Sequence, residues 1–257
     1  MSNSSLLTIL YWYYAYVIVT YENLAMDITE IIEKVKNSIA YIVALDTNRN
    51  VIGTGSGFVF SKKGILVTCN HVVKDASMLF IKFPDTKDFT ACKIIIRDDE
   101  HDLALLKFDD NTREPLECGQ LDKVVEGMPV LFSGYPFSSE NLTTHQGIIS
   151  AIIKDVAGVT SYSIDGTVNS GNSGCPLMDS SGRVIGVVNA KTRLRNDLLE
   201  KVENLGTGAL SLHGIDIVEI YQAIINNVQL GVGHAVPANY IPEHKGDIKD
   251  TKEKSAK

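Results

Sequence analysis

The sequence predicts an all-β protein, a sandwich or barrel of short antiparallel strands. Two observations carry this expectation. Runs of β-branched and aromatic residues recur about every ten residues, with Gly, Asp, Asn or Ser between them. Helical patterns do not alternate with these runs, which disfavours a parallel α/β sheet. Composition agrees: 44% of the 257 residues are hydrophobic and 21% charged, which suits a globular core and excludes a disordered chain or a polytopic membrane protein. The net charge of −7 argues against a nucleic-acid partner, because neutralising phosphates takes a basic surface.

Residues 1–25 form an apolar N-terminal arm. Within it, residues 6–20 read LLTILYWYYAYVIVT, and no charged side chain precedes Glu22. The stretch is shorter than the twenty or so residues of a membrane span. MSNSS before it lacks the basic residues of a secretory leader. Its Tyr and Trp residues suit a membrane interface. Three readings stay open: an interface anchor, a packing or oligomerisation arm, and an over-extended start with initiation at Met26.

Asp27 then opens a helix, with Glu30 at capping-box spacing and Ile28, Ile31, Ile32 and Val35 on one face. The strand-like runs follow: SIAYIVAL (38–45), SGFVFS (56–61), GILVTC (64–69), MLFIKF (78–83), ACKIIIR (91–97) and DLALLKF (102–108). After Gly127 come MPVLFSGY (128–135), GIISAIIK (147–154), SYSI (161–164) and GRVIGVVNA (182–190). Residues 191–229 break the rhythm. Leu198, Leu199 and Val202 have helical spacing, and Ile217, Ile220, Tyr221, Ile224, Ile225 and Val228 trace an amphipathic helix. A last strand, GVGHAVP (231–237), precedes a tail of mixed charge that reads as solvated.

Cys69, Cys92, Cys118 and Cys175 include no CxxC pair, and the six histidines include no HExxH. No metal site or cofactor is therefore expected. Four cysteines are sparse for a disulfide framework, so free thiols and a cytoplasmic location are expected, with membrane association through the arm left open.

The sharpest motif is GNSGCPL, residues 171–177. Ser173 among small residues can stand clear of the backbone with N–H groups converging on one spot, as an oxyanion site needs. The plainer reading is a Gly-rich turn between strands. A nucleophilic serine needs a base and the base an orienting partner. His71 lies in VTCNHVV, at the end of a β run, and Asp102 opens the run DLALLKF. Each alone is ordinary; together they give the order His, Asp, Ser of chymotrypsin-type proteases.

VTCNHVV, HDLALLKF, GYPF followed by GIISAI, and DGTVNSGNSGCPL followed by GRVIGVVNA resemble the HtrA/DegP branch of the trypsin-like serine proteases. GVGHAVPANYI is similar to that branch's last barrel strand, and the likeness runs from about Ile28 to Ile241, interrupted by 191–229. The resemblance implies a protease domain over 26–241 made of two six-stranded antiparallel β-barrels, 26–127 and 128–241, with a charged tail at 242–257. It implies a serine endopeptidase acting on polypeptides. Ser173 would be the nucleophile, His71 the base and Asp102 its orienting acid, and the oxyanion would lie at the backbone of Gly171, Asn172 and Ser173, on the N–H groups of Gly171 and Ser173. A catalytically silent peptide-binding module and an esterase are the alternatives. The family also implies a homo-oligomer built through the N-terminal arm as one use of that arm.

Three departures stand out. Asn172 occupies the place of an aspartate in digestive relatives, which argues against activation by a new N-terminus. Cys175 replaces a glycine, and a buried structural thiol is expected there. Few residues follow Val236, so no C-terminal PDZ domain is expected. The fold also implies a substrate pocket with Thr167 and Val168 at its base, Val188, Asn189 and Ala190 on one wall and Gly231, Val232 and Gly233 on the other. None is charged, so small or aliphatic side chains are expected in it. The insertion emerges between the two walls, its helix packed on the second barrel, with residues 198–208 as the alternative of a lid.

Overall fold

The computed structural model describes residues 27–190, 211–220 and 232–242. The arm at 1–25, the lid reading at 198–208, most of the amphipathic helix and all but the start of the tail lie outside these residues.

Six strands make the first barrel: β1 Ile39–Leu45, β2 Val51–Ser61, β3 Ile65–Cys69, β4 Met78–Lys82, β5 Thr90–Asp98 and β6 Leu103–Phe108, closed in the order β1-β2-β3-β6-β5-β4. The second begins with β7 Pro129–Gly134, β8 Thr143–Lys154, β9 Thr160–Asp165, β10 Pro176–Met178 and β11 Val184–Asn189. A separate hairpin, β12 Ser211–Leu212 with β13 Ile215–Asp216, intervenes before β14 Val232–Pro237. The second barrel closes in the order β10-β11-β14-β9-β8-β7. Closure removes the unpaired edges that an open sheet would expose. The expected two-barrel fold is the observed one.

Strand burial follows position. Every residue of β3 is buried, and all of β6 is buried except half-exposed Lys107. These strands are covered on both faces and read as continuous apolar runs. β8 of the second barrel is covered less, and Ile148, Ile152 and Ile153 along it are exposed. Phe58, Leu66, Leu105 and Phe108 fill the first core, and this cluster continues into Tyr135, Met178, Val184 and Val187 of the second half. A smaller cluster of Phe132, Ile164, Leu177, Ile185 and Val188 fills the second barrel. The contact between barrels is thus apolar and continuous with the first core.

Helix α1, Ile28–Val35, straps this junction. Asp27 caps it by accepting from the Thr29 N–H at 3.1 Å. Its Ile31 is fully buried, and a Cβ on Gly182 of the β10–β11 turn would come within 2.8 Å of the Ile31 side chain.

Three elements differ from expectation. β2 starts at Val51, well before the SGFVFS run, because its glycines permit close approach rather than a turn. A Cβ at Gly57 would lie 2.3 Å from Leu66 Cδ2, and one at Gly55 2.7 Å from Val72 Cγ1. β10 is three residues long and begins with a proline, too short for a periodic signal. Within the insertion, the described residues show the β12–β13 hairpin and then a helical stretch from 217, where Asp216 Oδ1 accepts from the Val218 N–H at 2.9 Å.

Candidate active site

The β3–β6 pair builds one side of the cleft between the barrels. β3 ends at Cys69, paired with Leu103 of β6. The chain turns at once into the short helix α2, Asn70–Val73, which carries His71. Asp102 precedes β6 with φ +54°, and its carbonyl accepts from the Asn70 N–H at 2.9 Å. Its carboxylate then holds His71 twice: Oδ1 accepts the backbone N–H at 2.8 Å, and Oδ2 lies 2.5 Å from ring Nδ1. With the Nδ1 proton on the carboxylate side, Nε2 carries the lone pair. Nε2 sits 3.0 Å from Ser173 Oγ. The three residues named from the sequence are therefore brought into one hydrogen-bonded line across the barrel junction.

Ser173 comes from the loop between β9 and β10, whose shape depends on two glycines. Gly171 has φ +94° and Gly174 φ +88°, a backbone region that side chains disfavour. Space forbids a side chain as well: a Cβ would lie 2.3 Å from Tyr135 O at Gly171 and 2.2 Å from Ser56 O at Gly174. The Asn172 N–H is engaged by Asn169 O at 3.0 Å and the Gly174 N–H by Val188 O at 2.8 Å. The Asn172 side chain is fully buried, and its amide atoms lack a hydrogen-bond partner among the described residues.

Ser56 and Thr68, both fully buried, were not among the residues singled out from the sequence. Ser56 Oγ donates to Gly171 O at 2.7 Å and accepts the Tyr135 N–H at 2.9 Å. Its N–H donates to Ser173 O at 2.9 Å, and its carbonyl accepts from Thr68 Oγ1 at 2.7 Å. One first-barrel serine thus grips the second-barrel loop at both ends. The available signal was a hydroxyl within the otherwise apolar SGFVF run, since a buried hydroxyl needs partners.

The residues expected to line a pocket divide. Thr167 is exposed, Val168 half-buried and Val232 exposed. Val168 lies against Gly233, where a Cβ would meet Val168 Cγ2 at 2.2 Å. Val188 is fully buried in the second core, so its side chain cannot wall an opening. Asn189 turns its amide instead to Asp102 Oδ2, donating at 3.0 Å. The Ala190 N–H donates to Ser173 Oγ at 3.2 Å. Gly231 lies outside the described residues.

None of the four cysteines is in a disulfide among the described residues. Burial pushes the Cys92 thiol up to about 12 and raises that of fully buried Cys175 further, so neither is a ready thiolate.

The model of the trypsin-like peptidase domain matches residues 55–187, just over half of the chain, which belongs to that family. Among relatives, a Pseudomonas fluorescens protein named "Probable periplasmic serine endoprotease DegP-like" is 35% identical over 145 residues, covering 55% of this chain and 30% of its own length. "Protease Do-like 1, chloroplastic" of Arabidopsis thaliana is 35% identical over 144 residues, 52% of this chain and 32% of the relative. The chain thus spans about a third of the length of these relatives. Among solved structures, the HtrA-type protease AlgW with a tripeptide superposes with a TM-score of 0.65 at 24% identity, over 87% of this chain and 64% of that one. An M. tuberculosis protease in its active form gives 0.60 at 21% identity, over 81% of this chain and 79% of that one. At these identities the two structures show the shared fold.

The relatives' names overturn the expected cytoplasmic location, since they are periplasmic and chloroplastic proteins. The cysteine argument behind that expectation had no force. Cys69 and Cys175 are fully buried, and a thiol enclosed in a core stays reduced in any compartment when no second thiol meets it. Among the described residues no helix is long and apolar enough to cross a membrane.

Proposed function

We propose that this chain is a serine endopeptidase that cleaves polypeptides through Ser173, His71 and Asp102. The observation that carries the reading is the unbroken line from Asp102 Oδ2 to His71 Nδ1 at 2.5 Å and from Nε2 to Ser173 Oγ at 3.0 Å. Ser173 Oγ attacks the scissile carbonyl while His71 Nε2 takes its proton. Asp102 holds the ring and stabilises the imidazolium that forms. His71 then hands the proton to the leaving amine, and water repeats the sequence on the acyl-enzyme. The N–H groups of Gly171 and Ser173 hold the oxyanion. Asn172 drops out of that set because its N–H is spent on Asn169 O. Asn189 is a positioning residue here, with a second hydrogen bond on the Asp102 carboxylate.

Small or medium aliphatic side chains are the preferred substrates in this reading, because none of the pocket residues carries an acid to pair with Lys or Arg. A location outside the cytoplasm accompanies this reading. Fluorophosphonate labelling with and without Ser173→Ala, followed by a casein digest read by mass spectrometry, tests it. Labelling at Ser173 with casein cleavage is expected. Labelling without cleavage would leave an esterase, and no labelling of a folded chain would leave a peptide-binding module.

A further inference from the structure

We infer that the base end of the site is also a chelate for a soft divalent ion, Zn2+ or Cd2+, and that such an ion switches the site off. Cys69 Sγ, a ring nitrogen of His71 and a carboxylate oxygen of Asp102 all lie within 4.8 Å of one another. The β3–β6 ladder sets this up: Cys69 pairs with Leu103, next to Asp102, and stands two residues before His71. Its thiol is fully buried beneath the cleft and lies 3.3 Å from Val188 O.

Sulfur, imidazole nitrogen and carboxylate oxygen are all ligands of protein zinc. A thiolate and a carboxylate bring two negative charges, which a divalent ion neutralises, and water or Ser173 Oγ remains for a fourth position. Bonds of about 2.0–2.3 Å place tetrahedral donors roughly 3.3–3.7 Å apart, so the widest pair closes by at most about 1.5 Å around Zn2+. The larger, softer Cd2+ needs less closure. Mg2+ and Ca2+ prefer all-oxygen sets and do not fit a thiolate. Cys69 binds as thiolate, its proton passing to solvent. Whichever ring nitrogen takes the ion, the base is lost: metal on Nε2 occupies the lone pair aimed at Ser173, and metal on Nδ1 keeps the proton on Nε2. The switching rests on the peptidase reading; the chelate does not.

The test has two arms. In the first, the full chain carrying Ser173→Ala is titrated with Cd2+ and followed by the ultraviolet cadmium–thiolate absorption. A band saturating at one ion per chain is expected, lost with Cys69→Ala and kept with Cys118→Ser. In the second, Zn2+ slows fluorophosphonate labelling of the unmutated chain and EDTA restores it, and Cys69→Ala raises the Zn2+ needed by about tenfold or more. If Cys69→Ala fails to fold, Asp102→Asn in the Ser173→Ala chain takes its place in the first arm, again with loss of the band. An equal Cd2+ response with and without Cys69 would overturn the chelate. A saturating band with unchanged labelling would overturn the switch. A saturating band in a chain that never labels would support the chelate and count against the peptidase reading alone.

Discussion

His71 and Asp102 reach the cleft from a unit built in the first barrel, to which Asn189 of the second adds a hydrogen bond on the Asp102 carboxylate. The Asn70 and His71 N–H groups and the His71 ring are all held by Asp102, and both segments flank paired strands. Ser173 reaches it from a second-barrel loop that borrows its shape. Ser56 of the first barrel holds Gly171 O through its hydroxyl and Ser173 O through its N–H, and the same hydroxyl takes the Tyr135 N–H. The base thus takes its backbone and ring contacts with Asp102 from one barrel, whereas the nucleophile loop takes its shape from two. Damage to the junction should disable the nucleophile loop while leaving the His71–Asp102 pair formed.

The largest effects do not respect that division. Ser173→Ala and His71→Ala should each lower peptidase turnover by about 10⁶, and Asp102→Ala by about 10⁴, because the three act as a unit. The double variant Ser173→Ala/His71→Ala should be no slower than either single one in steady-state peptide hydrolysis. Near-normal cleavage by purified Ser173→Ala would end the assignment.

Gly171→Ala is the sharper probe. Its Cβ has no room beside Tyr135 O and its φ is positive, so the loop must move. Loss of an oxyanion donor predicts a fall of about 10²–10³ in kcat. The His71 ring should stay on Asp102, seen as an unchanged downfield imidazole proton in NMR. Loss of that signal together with activity would show the two halves to be coupled more tightly than the hydrogen bonds indicate.

Ser56→Ala tests the clasp directly. It leaves Gly171 O and the Tyr135 N–H without their hydroxyl partner, and stranded buried groups cost about 1–3 kcal/mol. Denaturant unfolding should show that loss, with a fall in kcat larger than any rise in KM. Unchanged stability and kinetics would mean that the loop keeps its shape alone.

This junction is also where the sequence was least legible. Strands such as β3 and β6 announce themselves as apolar runs, and His71, Asp102 and Ser173 sit in motifs at their ends. Residues that act by contact have no such signature. Ser56 opens a run expected to be a strand, but nothing in that run shows that its hydroxyl reaches Gly171 and Tyr135 of the second barrel. Asn189 ends an apolar strand, and its side chain faces Asp102 only because the barrels meet there. Val188, expected at a pocket wall, is turned into the second core by the strand's alternation.

The smallest expected effect separates the barrels by acid. His145 on β8 stacks on Phe132 with centroids 5.2 Å apart, and burial lowers its pKa below the ordinary 6.5. Burial lowers that of His234 on β14 in the same way. Both belong to the second barrel. Below about pH 6.5 the unfolded chain binds protons that these folded imidazoles refuse. Stability therefore falls as pH drops through 6.5, and the loss stops growing once pH is below the lowered folded values. Among first-barrel groups, Asp46 in the β1–β2 turn and Asp110 just after β6 are lowered too, but for a carboxylate a lowered pKa favours the folded state. Hydrogen bonds from Asn50 and Thr112 hold their pKa values below 3.8, so the stability they confer is present above that value and is lost only as pH falls through and below it. Between pH 7 and pH 5, amide exchange should quicken in β8, β9 and β14 while β3 and β6 keep their protection. His145→Gln and His234→Gln should flatten that dependence. Equal loss of protection in both barrels would mean that they open as one cooperative unit.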